Sequence, residues 1–534
     1  MPFDQGLNSD LQFLILEVKK QGRASWSVIE NPTPKKVAKI KSREFFIDNL
    51  KNTIEHKSYF NIHRQEEGEI NHFKAIITIA SNLERCADFF ESIGTQMSHV
   101  HDHTIYVEFD LKRYYQIIDK ALDAIYPAVT QQNLELAQKI CDYEQVLDDY
   151  YAETAALIRK KLRQRGKVDD LLTLLAIAQY LERVGDSFLN IGEAILDIYV
   201  GEKMGIQQFR ELKKGLESQG IDISDDDLEF KPIMNTRSGC RVARIVAGPA
   251  GASSRSIFYK EGAVSKIDEE VVGLKLWQRR YPGRTPKILW YNSRKDNATL
   301  LLEYIDGQDL LEILINKSGK LEQALELLTR SLTLAWDANY RDKSRKSDYM
   351  AQLLSRKSDI TSVHSGLFES EFGLDKLIVG ARRIERDLRA PFTTLIHGDF
   401  NADNILFRLG ADQVYYVDVH RSGYGDYTQD VSVFLISNFR VPIFSPEIRQ
   451  RLNVANLRIY ACAAEYAAAK DDSTFDARLA LGLFRSLVTS TRFVFDKDIS
   501  SQFIERAAII MQALNLHKDD LSSFKLNTEW FLYG

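Results

Sequence analysis

The chain has few cysteines and prolines for its length. Its 534 residues include four cysteines, 11 prolines and 28 glycines. The cysteines are scattered without a CxxC pair, so the sequence signals no zinc site, and they are typical of small buried hydrophobes in a reducing compartment. The low proline and glycine content excludes fibrous and disordered classes and favours an ordinary globular protein.

An excess of charge of one sign is also lacking. The formal net charge is −5, so the composition provides no basic footprint for nucleic acid. No window approaches about 18 uninterrupted apolar residues, and the N-terminus has no basic segment before an apolar stretch. We therefore predict a cytoplasmic protein without nucleic-acid binding or membrane insertion.

Hydrophobic residues make up 44% of the chain, and the length indicates two or more domains of about 100–200 residues each. Residues 1–205 are predicted to be helical, because apolar residues recur at three- and four-residue spacing. Residues 206–235 are acidic and irregular, which predicts a linker. Short β-branched runs predict a small β-rich lobe at 236–308, and residues 309–534 are predicted to be mostly helical.

The helical part contains an internal repeat. "NLERCAD" ends on Asp88 and "YLERVGD" ends on Asp186, an offset of 98 residues (186 − 88), which indicates a duplicated helical unit. Glu84 and Glu182 precede these aspartates by four residues, so each pair shares one helix face and can coordinate a hard cation between helices. Alternatively, the acids form ion pairs with neighbouring arginines or face water.

The segment "HGDFNADN" at residues 397–404 concentrates groups that phosphoryl transfer requires. That chemistry needs oxygen ligands for Mg²⁺, a carboxylate that orients the attacking hydroxyl, and cations or backbone amides over the phosphates. Asp399 and Asn404 are five residues apart, the interval between the catalytic Asp and the metal-binding Asn of protein-kinase catalytic loops. Asp418 ends the apolar run "VYYVD", where a carboxylate is held rigidly enough to bind a metal.

Residues upstream supply candidates for nucleotide binding. The stretch "RIVAGPAGASSRSIFYKEG" predicts two strands joined by a small-residue turn, and such a hairpin can cover phosphates with Lys260 as the point charge. Glu270, on the following helix, is the natural partner of that lysine, with Glu269 as a substitute. The segment "LLLEYIDG" links the lobes, with the backbone from Glu303 to Ile305 placed to pair with an adenine edge. The candidate residues of the turn are Gly248, Gly251, Ser253 and Ser254.

Each of these features has a structural alternative when taken alone. A Gly- and Ser-rich hairpin is often only a turn, Lys260 and Glu303 can be surface residues, and "HGDFNADN" can be a polar turn that caps a helix. Their occurrence together, in the order loop, Lys, Glu, hinge, HGDxxxxN and strand-borne Asp, favours a phosphotransferase site.

Residues from about 236 to 534 resemble the aminoglycoside phosphotransferase/choline kinase-like family of the protein-kinase-like fold. "HGDFNADNIL" is similar to that family's catalytic loop, and "VDVHRSGYGDYTQDVSVFL" resembles its metal-binding segment. The resemblance implies a bilobal α+β domain that uses ATP and Mg²⁺ to phosphorylate a hydroxyl of a small molecule. It assigns the catalytic base to Asp399, Mg²⁺ binding to Asn404 and Asp418, phosphate contact to Lys260, bracing of the catalytic loop to Asp430, and a structural role to His397.

The sequence departs from that family's pattern after Asp418, where it continues Val-His-Arg. Many members have an aromatic and then an acidic residue there, so His420 and Arg421 indicate a different substrate. Arg485 and Arg492 are seven residues apart on one predicted helix face, which hints at an anionic or neutral polar acceptor. The alternative for these two arginines is surface ion pairing.

Residues from about 7 to 203 resemble PhoU-type phosphate-signalling proteins, in which two three-helix bundles each carry an E-x-x-x-D motif that can bind metal. "LERCADFFESI" and "LERVGDSFLNIGEAI" carry the likeness. It implies a regulatory domain that binds a second divalent metal (Mg, Mn, Fe or Zn), and either a phosphate-signalling protein partner or a homodimer. The implied ligands are Glu84, Asp88, Glu182 and Asp186, with Asn190 and Glu193 as further candidates.

The combined prediction is a multidomain protein in which an all-α PhoU-like bundle of two three-helix repeats precedes an α+β kinase-like domain. We expect it to transfer the γ-phosphoryl group of ATP to a small-molecule hydroxyl, with the helical domain in a regulatory role. The alternative is a non-catalytic nucleotide-binding adaptor in phosphate signalling or transport regulation.

Overall fold

A computed structural model describes most of the chain. The described residues are 5–62, 67–102, 104–164, 167–200, 204–222, 228–233, 240–247, 255–295, 297–317, 319–367 and 373–533. Contacts divide them into two compact units, one with the N-terminal helices and two short strands, and one with the chain from Ile257 onward. Among these residues, no helix is both long and apolar enough to cross a bilayer.

The N-terminal unit consists of two consecutive groups of three long helices and a shorter seventh helix, within the described ranges. The helices are α1 (Gln5–Glu30), α2 (Pro34–Ile62), α3 (Glu67–Met97), α4 (Lys112–Thr130), α5 (Leu134–Leu162), α6 (Val168–Val200) and α7 (Ile206–Glu217). In each group the third helix packs against the first two, and α3 also packs against α6. The internal repeat in the sequence therefore corresponds to a structural repeat.

Apolar residues at equivalent positions of the two repeats form the core of this unit. Leu83 and Phe90 in α3 are buried, as are Leu181 and Phe188, their counterparts 98 residues later in α6. A side chain at Gly192 of α6 would place its Cβ 2.3 Å from the Sγ atom of a cysteine in α5. The absence of a side chain at this position therefore allows α5 and α6 to pack closely.

Local hydrogen bonds fix the starts of two helices in the second repeat. The side chain of Asn133 accepts a hydrogen bond from the N–H of Leu136 (3.0 Å) and caps α5. In the first turn of α6, the Asp170 carboxylate accepts from the backbone N–H groups of His101 (2.7 Å) and Asp102 (3.1 Å). These bonds attach α6 to the segment that joins the two repeats.

The segment predicted to be a linker contains regular structure. It includes α7 and the strand β1 (Glu229–Pro232), which pairs antiparallel with β2 (Arg241–Ala247). The helix forms because Phe209, Leu212 and Leu216 follow helical spacing and are buried. An acidic composition therefore does not imply an irregular backbone here. The predicted domain boundaries at 205, 235 and 308 remain predictions.

The second unit begins with a small antiparallel sheet and one helix. The elements are β3 (Arg255–Ala263), α8 (Val264–Arg280), β4 (Ile288–Ser293) and β5 (Asn297–Glu303). Strand β5 lies between β3 and β4, with Lys260 of β3 opposite Leu300 of β5. Residues Ala298 to Leu302 of β5 are all buried, and Ala298, Leu300 and Leu302 belong to the hydrophobic core that includes apolar residues of α8.

The remainder of the unit is mostly helical with short strand pairs. Its first elements are β6 (Gln308–Asp309), α9 (Leu310–Ile315), α10 (Leu321–Ala338), β7 (Arg345–Lys346), α11 (Tyr349–Leu354), α12 (Lys357–Val363), α13 (Leu374–Asp387) and β8 (Arg389–Ala390). They are followed by β9 (Thr394–Ile396), β10 (Ile405–Arg408), β11 (Gln413–Tyr416), β12 (Gly423–Gly425), α14 (Thr428–Phe439), α15 (Pro446–Ala469), α16 (Phe475–Ser490) and α17 (Lys497–Leu516). Strand β10 pairs with β6 and β11, and β9 pairs with β12.

The predicted fold class is confirmed: an all-α bundle of two three-helix repeats precedes an α+β domain with an antiparallel sheet. Helix α16 is the centre of the helical lobe, since nearly all of its residues are buried. Its charged residue Arg478 is completely buried and forms ion pairs with Asp426, at 2.5 Å, and with Asp472. The short strand pairs place the loops after β9 and β11 next to each other.

Candidate active site

The site is built around a buried lysine on β3. The Nζ atom of Lys260 lies 2.6 Å from Oε2 of Glu270 in α8 and 2.8 Å from Oδ1 of Asp418, in the loop after β11. Helix α8 can approach that loop because a Cβ at Gly273 would lie only 2.1 Å from the carbonyl oxygen of Val419. The glycine thus permits the close contact that brings the three charged groups together.

The charges of this triad determine one another's protonation. Burial alone would lower the pKa of Lys260, but the carboxylates of Glu270 and Asp418 hold it above its ordinary value. Burial also opposes ionisation of Asp418, yet the hydrogen bond from His420 and the charge of Lys260 hold its pKa well below the usual range. Burial raises the pKa of Glu270 despite the neighbouring lysine. Lys260 and Asp418 are therefore both charged near neutral pH.

The loop after β9 adopts a conformation that requires glycine. Gly398 has a φ of +83°, and a Cβ there would lie 2.3 Å from the carbonyl oxygen of Arg421. Its backbone N–H donates to Oδ1 of Asp430 (2.8 Å), and the N–H of His397 donates to Oδ2 (2.6 Å). Asp430, in the first turn of α14, therefore holds both residues that precede Asp399.

Asp399 receives contacts from side chains of both loops. Arg421 Nη1 lies 3.4 Å from Oδ2 of Asp399, and Asn401 Nδ2 donates to Oδ1 at 3.2 Å. Asn404 donates from Nδ2 to the Asp399 backbone carbonyl at 2.9 Å, and its own carbonyl accepts from the N–H of Val417 at 3.1 Å. These bonds tie the loop after β9 to the segment that leads into Asp418.

Asp418 has an unusual backbone for a residue other than glycine. Its φ is +57°, in the left-handed region, where a non-glycine residue carries conformational strain that commonly marks a functional position. His420 Nδ1 lies 3.3 Å from Oδ1 of the same aspartate, and this hydrogen bond raises the pKa of His420.

A second set of contacts connects α8 to both loops. Trp277 Nε1 donates to Ser422 Oγ at 2.8 Å, and that hydroxyl donates to the carbonyl oxygen of His397 at 3.0 Å. His397 Nε2 lies 2.9 Å from the carbonyl oxygen of Val417, and burial lowers the pKa of this imidazole. Sequence reasoning did not identify Trp277 or Ser422, because neither belongs to a recognisable motif.

Not every predicted site residue lies in this cluster. Glu269 is exposed, whereas Glu270 is buried against Lys260, so the structure distinguishes these two candidates. The N–H of Glu303 bonds to the carbonyl oxygen of Lys287 (2.9 Å), and Ile305 is buried; their proposed contact with adenine remains a prediction. The turn residues lie outside the described residues: Gly248, Gly251, Ser253 and Ser254.

The aspartates of the two acidic motifs, but not their glutamates, line a shared cleft in the helical unit. A cleft of about 260 Å³ between α3 and α6 is lined by Arg85, Asp88, Phe89, Arg183 and Asp186. The aspartates of both repeats therefore meet there, accompanied by arginines at equivalent positions. Within the described ranges, no three His, Cys, Asp or Glu side chains are grouped closely enough to hold a metal ion.

The carboxylates of the two motifs are electrostatically crowded. Partial burial, followed by the charge of Glu84, raises the pKa of Asp88 to about 6. The pKa of Glu84 is raised mainly by burial, and burial and Asp186 raise the pKa of Glu182. Each motif therefore contains like charges that lie close to one another.

The structure adds acidic residues that sequence reasoning missed. The charges of Glu44 and Asp48 in α2 act on Asp88. In the second repeat, the charges of Glu144 and Asp148 in α5 act on Glu182. These residues were detectable, because "EFFID" at 44–48 and "EQVLD" at 144–148 repeat the E-x-x-x-D spacing.

Comparison with known families agrees with this division of the chain. Residues 111–195 match the family model "PhoU domain". Residues 267–466 match the family model "Phosphotransferase enzyme family". The second match includes Glu270, the loop with Asp399 and Asn404, and Asp418.

Several proteins are similar to parts of the chain. The phosphate-specific transport system accessory protein PhoU homolog 1 of Thermotoga maritima is 24% identical over 217 residues, which is 40% of this chain and 91% of the relative. The crystal structure of PhoU from Streptococcus pneumoniae has 18% identity, a TM-score of 0.36, and covers 37% of this chain and 96% of that one. An aminoglycoside-3'-phosphotransferase of type VIII has 19% identity and a TM-score of 0.35, covering 53% of this chain and 97% of that one.

Proposed function

We propose that this chain, which joins a PhoU domain to a domain of the phosphotransferase enzyme family, transfers the γ-phosphoryl group of ATP to a hydroxyl of a small molecule. The observation that carries the proposal is the buried Lys260, held between Glu270 and Asp418 beside the loop with Asp399. An ammonium group has three N–H donors, so one stays available for a phosphate oxygen after both carboxylates are bound.

In the proposed reaction, Asp399 accepts the proton of the acceptor hydroxyl while the oxygen of that hydroxyl attacks the terminal phosphorus of ATP. A new bond forms between that oxygen and phosphorus, the bond from phosphorus to the bridging oxygen breaks, and ADP leaves with the electron pair. The contacts of Arg421 and Asn401 with opposite oxygens of Asp399 fix the orientation of this carboxylate. Orientation of the reacting groups is a large part of catalysis in phosphoryl transfer.

The residues after the catalytic carboxylate suit a magnesium ion. Asp418 is ionised, and its Oδ1 faces Lys260 and His420, which leaves the second oxygen for a metal. Asn404 directs its NH₂ group to a backbone carbonyl, so its amide oxygen is the group available as a ligand. Mg²⁺ bound with the nucleotide would neutralise charge on the β- and γ-phosphates.

We assign a regulatory role to the helical domain, with a divalent metal as its ligand. The support is the set of carboxylates on α2 and α3 and on α5 and α6, whose mutual repulsion a bound cation would relieve. These side chains would have to move together to bind it, because no three of them are grouped at metal-binding distance in the described part of the chain. A phosphate-signalling partner or a homodimer remains a further prediction for this domain.

The proposal is tested by ADP formation from Mg·ATP with the purified full chain and a panel of hydroxyl compounds. Asp399→Asn should lower turnover by about 10²-fold or more, since it removes the proton acceptor, while Mg·ATP binding measured by calorimetry stays close to wild type. Asp412→Asn is a matched control, because Asp412 is exposed and asparagine tolerates its left-handed φ of +49°.

The adaptor alternative has its own signature. Wild-type protein that binds Mg·ATP but forms no ADP with any acceptor would favour an adaptor. Wild-type protein that neither binds nor consumes ATP would exclude both functions. Acceptor-dependent ADP formation that is lost in Asp399→Asn supports the phosphotransferase.

A further inference from the structure

Arginine side chains from several elements interact electrostatically with one another and with Asp399. Arg421, in the loop after β11, contacts it directly at 3.4 Å. The charges of Asp399 and Arg421 both act on Arg485 of α16. The charges of Arg421 and of Arg440, at the end of α14, act in turn on Arg492, in the turn that follows α16. Residues from three separate parts of the fold therefore place positive charge on this side of the site.

Arg485 is the most informative member, because its donors are buried without a partner. Its Nε and Nη2 atoms are shielded from solvent and have no hydrogen-bond acceptor among the described residues. Its guanidinium lies 5.3 Å from the ring centre of Tyr349, and burial lowers its pKa. Buried charged donors without acceptors are costly, so the two unfilled donors of Arg485 indicate a place for acceptor atoms that the protein itself does not supply.

Arg492 is held in place by a ring and a backbone carbonyl. Its guanidinium lies 4.2 Å from the ring centre of Phe493, and Arg440 lies 4.7 Å from the same ring. Nη1 of Arg492 donates to the carbonyl oxygen of Thr489 at 2.8 Å. Burial and the repulsion of neighbouring arginines lower its pKa to about 10. The side chain is therefore oriented before any ligand arrives.

The nearby carboxylates form no ion pair with Arg485 or Arg492 among the described residues. Arg421 is paired with Asp399, and Arg356 lies 3.7 Å from Asp359 on α12. Asp348 and Asp403 also act on groups of this region. The charge of the buried Asp430 also acts on Arg485, but its oxygens accept hydrogen bonds from backbone N–H groups. For Arg485 and Arg492, no ion pair with a carboxylate is found within the described part of the chain, so both guanidinium groups lack an anionic partner.

We propose that Arg485 and Arg492, together with Arg421, bind an anionic group of the acceptor, either a carboxylate or a phosphate ester. This inference rests on the proposed phosphotransferase function and narrows the acceptor to a hydroxyl compound that carries a negative charge. Guanidinium groups match the planar oxygens of both anions and can bind them in a bidentate manner. A polycationic acceptor such as an aminoglycoside would meet like charge here.

The test compares hydroxyl compounds that carry an anionic group with their neutral parent compounds. Glycerol 3-phosphate and glycerate are compared with glycerol, ribose 5-phosphate is compared with ribose, and kanamycin serves as the polycation. Calorimetric binding and ADP formation are measured with the full chain at millimolar acceptor. We expect at least one anionic member to bind about tenfold more tightly than its neutral counterpart. Equal affinity within every pair, or preference for kanamycin, overturns the inference.

Variants identify the responsible residues. Arg485→Gln and Arg492→Gln should each weaken binding of the anionic probe by about tenfold or more, since each removes a charge-assisted contact. Arg458→Gln is the matched control, because Arg458 is exposed and pairs with Glu322 on the surface. Unchanged probe binding in both folded variants overturns the inference; if Arg485→Gln fails to fold, Arg492→Gln alone decides.

Failure of the inference is distinguishable from failure of the proposed function. ADP formation with a neutral or cationic acceptor would retain the phosphotransferase and reject the anionic subsite. Anion binding that depends on Arg485 and Arg492, in a protein that never forms ADP, would retain the subsite and reject the phosphotransferase.

Discussion

The Nζ atom of Lys260 lies 2.8 Å from Oδ1 of Asp418, although 158 residues separate them in the chain. Glu270 completes this buried arrangement at 2.6 Å from the same nitrogen. A buried ion pair of this kind contributes little to stability relative to apolar residues of similar size. Its value lies in the fixed position and charge of its members, which the proposed binding of nucleotide phosphates and magnesium requires.

Lys260→Met should remove nucleotide binding and destabilise the second unit. The substitution leaves Glu270 buried without a cation, which costs about 3–5 kcal/mol in the free energy of unfolding. Mg·ATP affinity should fall by at least about tenfold, because a charged contact to the phosphates is lost. Calorimetry and urea denaturation measure the two effects.

Lys275→Met, at an exposed position of the same helix as Glu270, is the control for Lys260→Met and should change neither quantity. If Lys260→Met binds Mg·ATP as tightly as wild type, the assignment of Lys260 to the phosphates is wrong.

Arg478→Met should strongly destabilise the helical lobe without a direct effect on the site. Arg478 is fully buried between Asp426 and Asp472, so its removal leaves uncompensated buried carboxylates at a cost of about 3–5 kcal/mol. Four of the five tryptophans of the chain, Trp277, Trp290, Trp336 and Trp530, belong to the second unit. Tryptophan fluorescence during urea denaturation therefore reports its unfolding. A change below about 1 kcal/mol would contradict this account.

Asp88→Asn should change stability in a pH-dependent manner when metal is chelated. Partial burial raises the pKa of Asp88 from 3.8 to about 6, so its charged form is less stable in the folded than in the unfolded state. The wild type therefore loses stability as pH rises from about 4 to 6, and this loss persists above that range.

In EDTA, Asp88→Asn should gain about 1 kcal/mol over wild type at about pH 8, after allowance for solvent screening of this half-exposed group, and nothing below about pH 4. Thermal unfolding of both proteins across this range measures the difference. Added Mn²⁺ should reverse the order if the helical domain binds metal, because only the wild type keeps the carboxylate. If the two proteins are equally stable at about pH 8 in EDTA, the raised pKa of Asp88 is contradicted.

Periodicity in the sequence predicted the helices and the order of the two domains. It succeeded because long amphipathic runs and short β-branched runs differ in period. It did not reveal α7, whose buried apolar residues Phe209, Leu212 and Leu216 lie within the acidic segment at 206–235. Composition averages over such a segment, whereas the burial of three side chains on one face decides its structure.

The candidate site was predictable where motif spacing carries the chemistry, as for Asp399 and Asn404. Glu269 and Glu270 could not be separated by sequence, since only the packing of α8 shows which of them faces Lys260. The seven-residue spacing of Arg485 and Arg492 was visible, but the buried, unpartnered donors of Arg485 were not. Such a property depends on residues from several elements that are distant in the chain.

The most direct test of the central claim is nucleotide-dependent binding of Mn²⁺. Electron paramagnetic resonance measures the Mn²⁺ bound with and without a non-hydrolysable ATP analogue. The increment caused by the analogue isolates the nucleotide site from metal bound to the helical domain. We predict that this increment is present in wild type and in Asp412→Asn, and lost in Asp418→Asn and Asn404→Leu. An increment in folded Asp418→Asn equal to that of wild type would contradict the account.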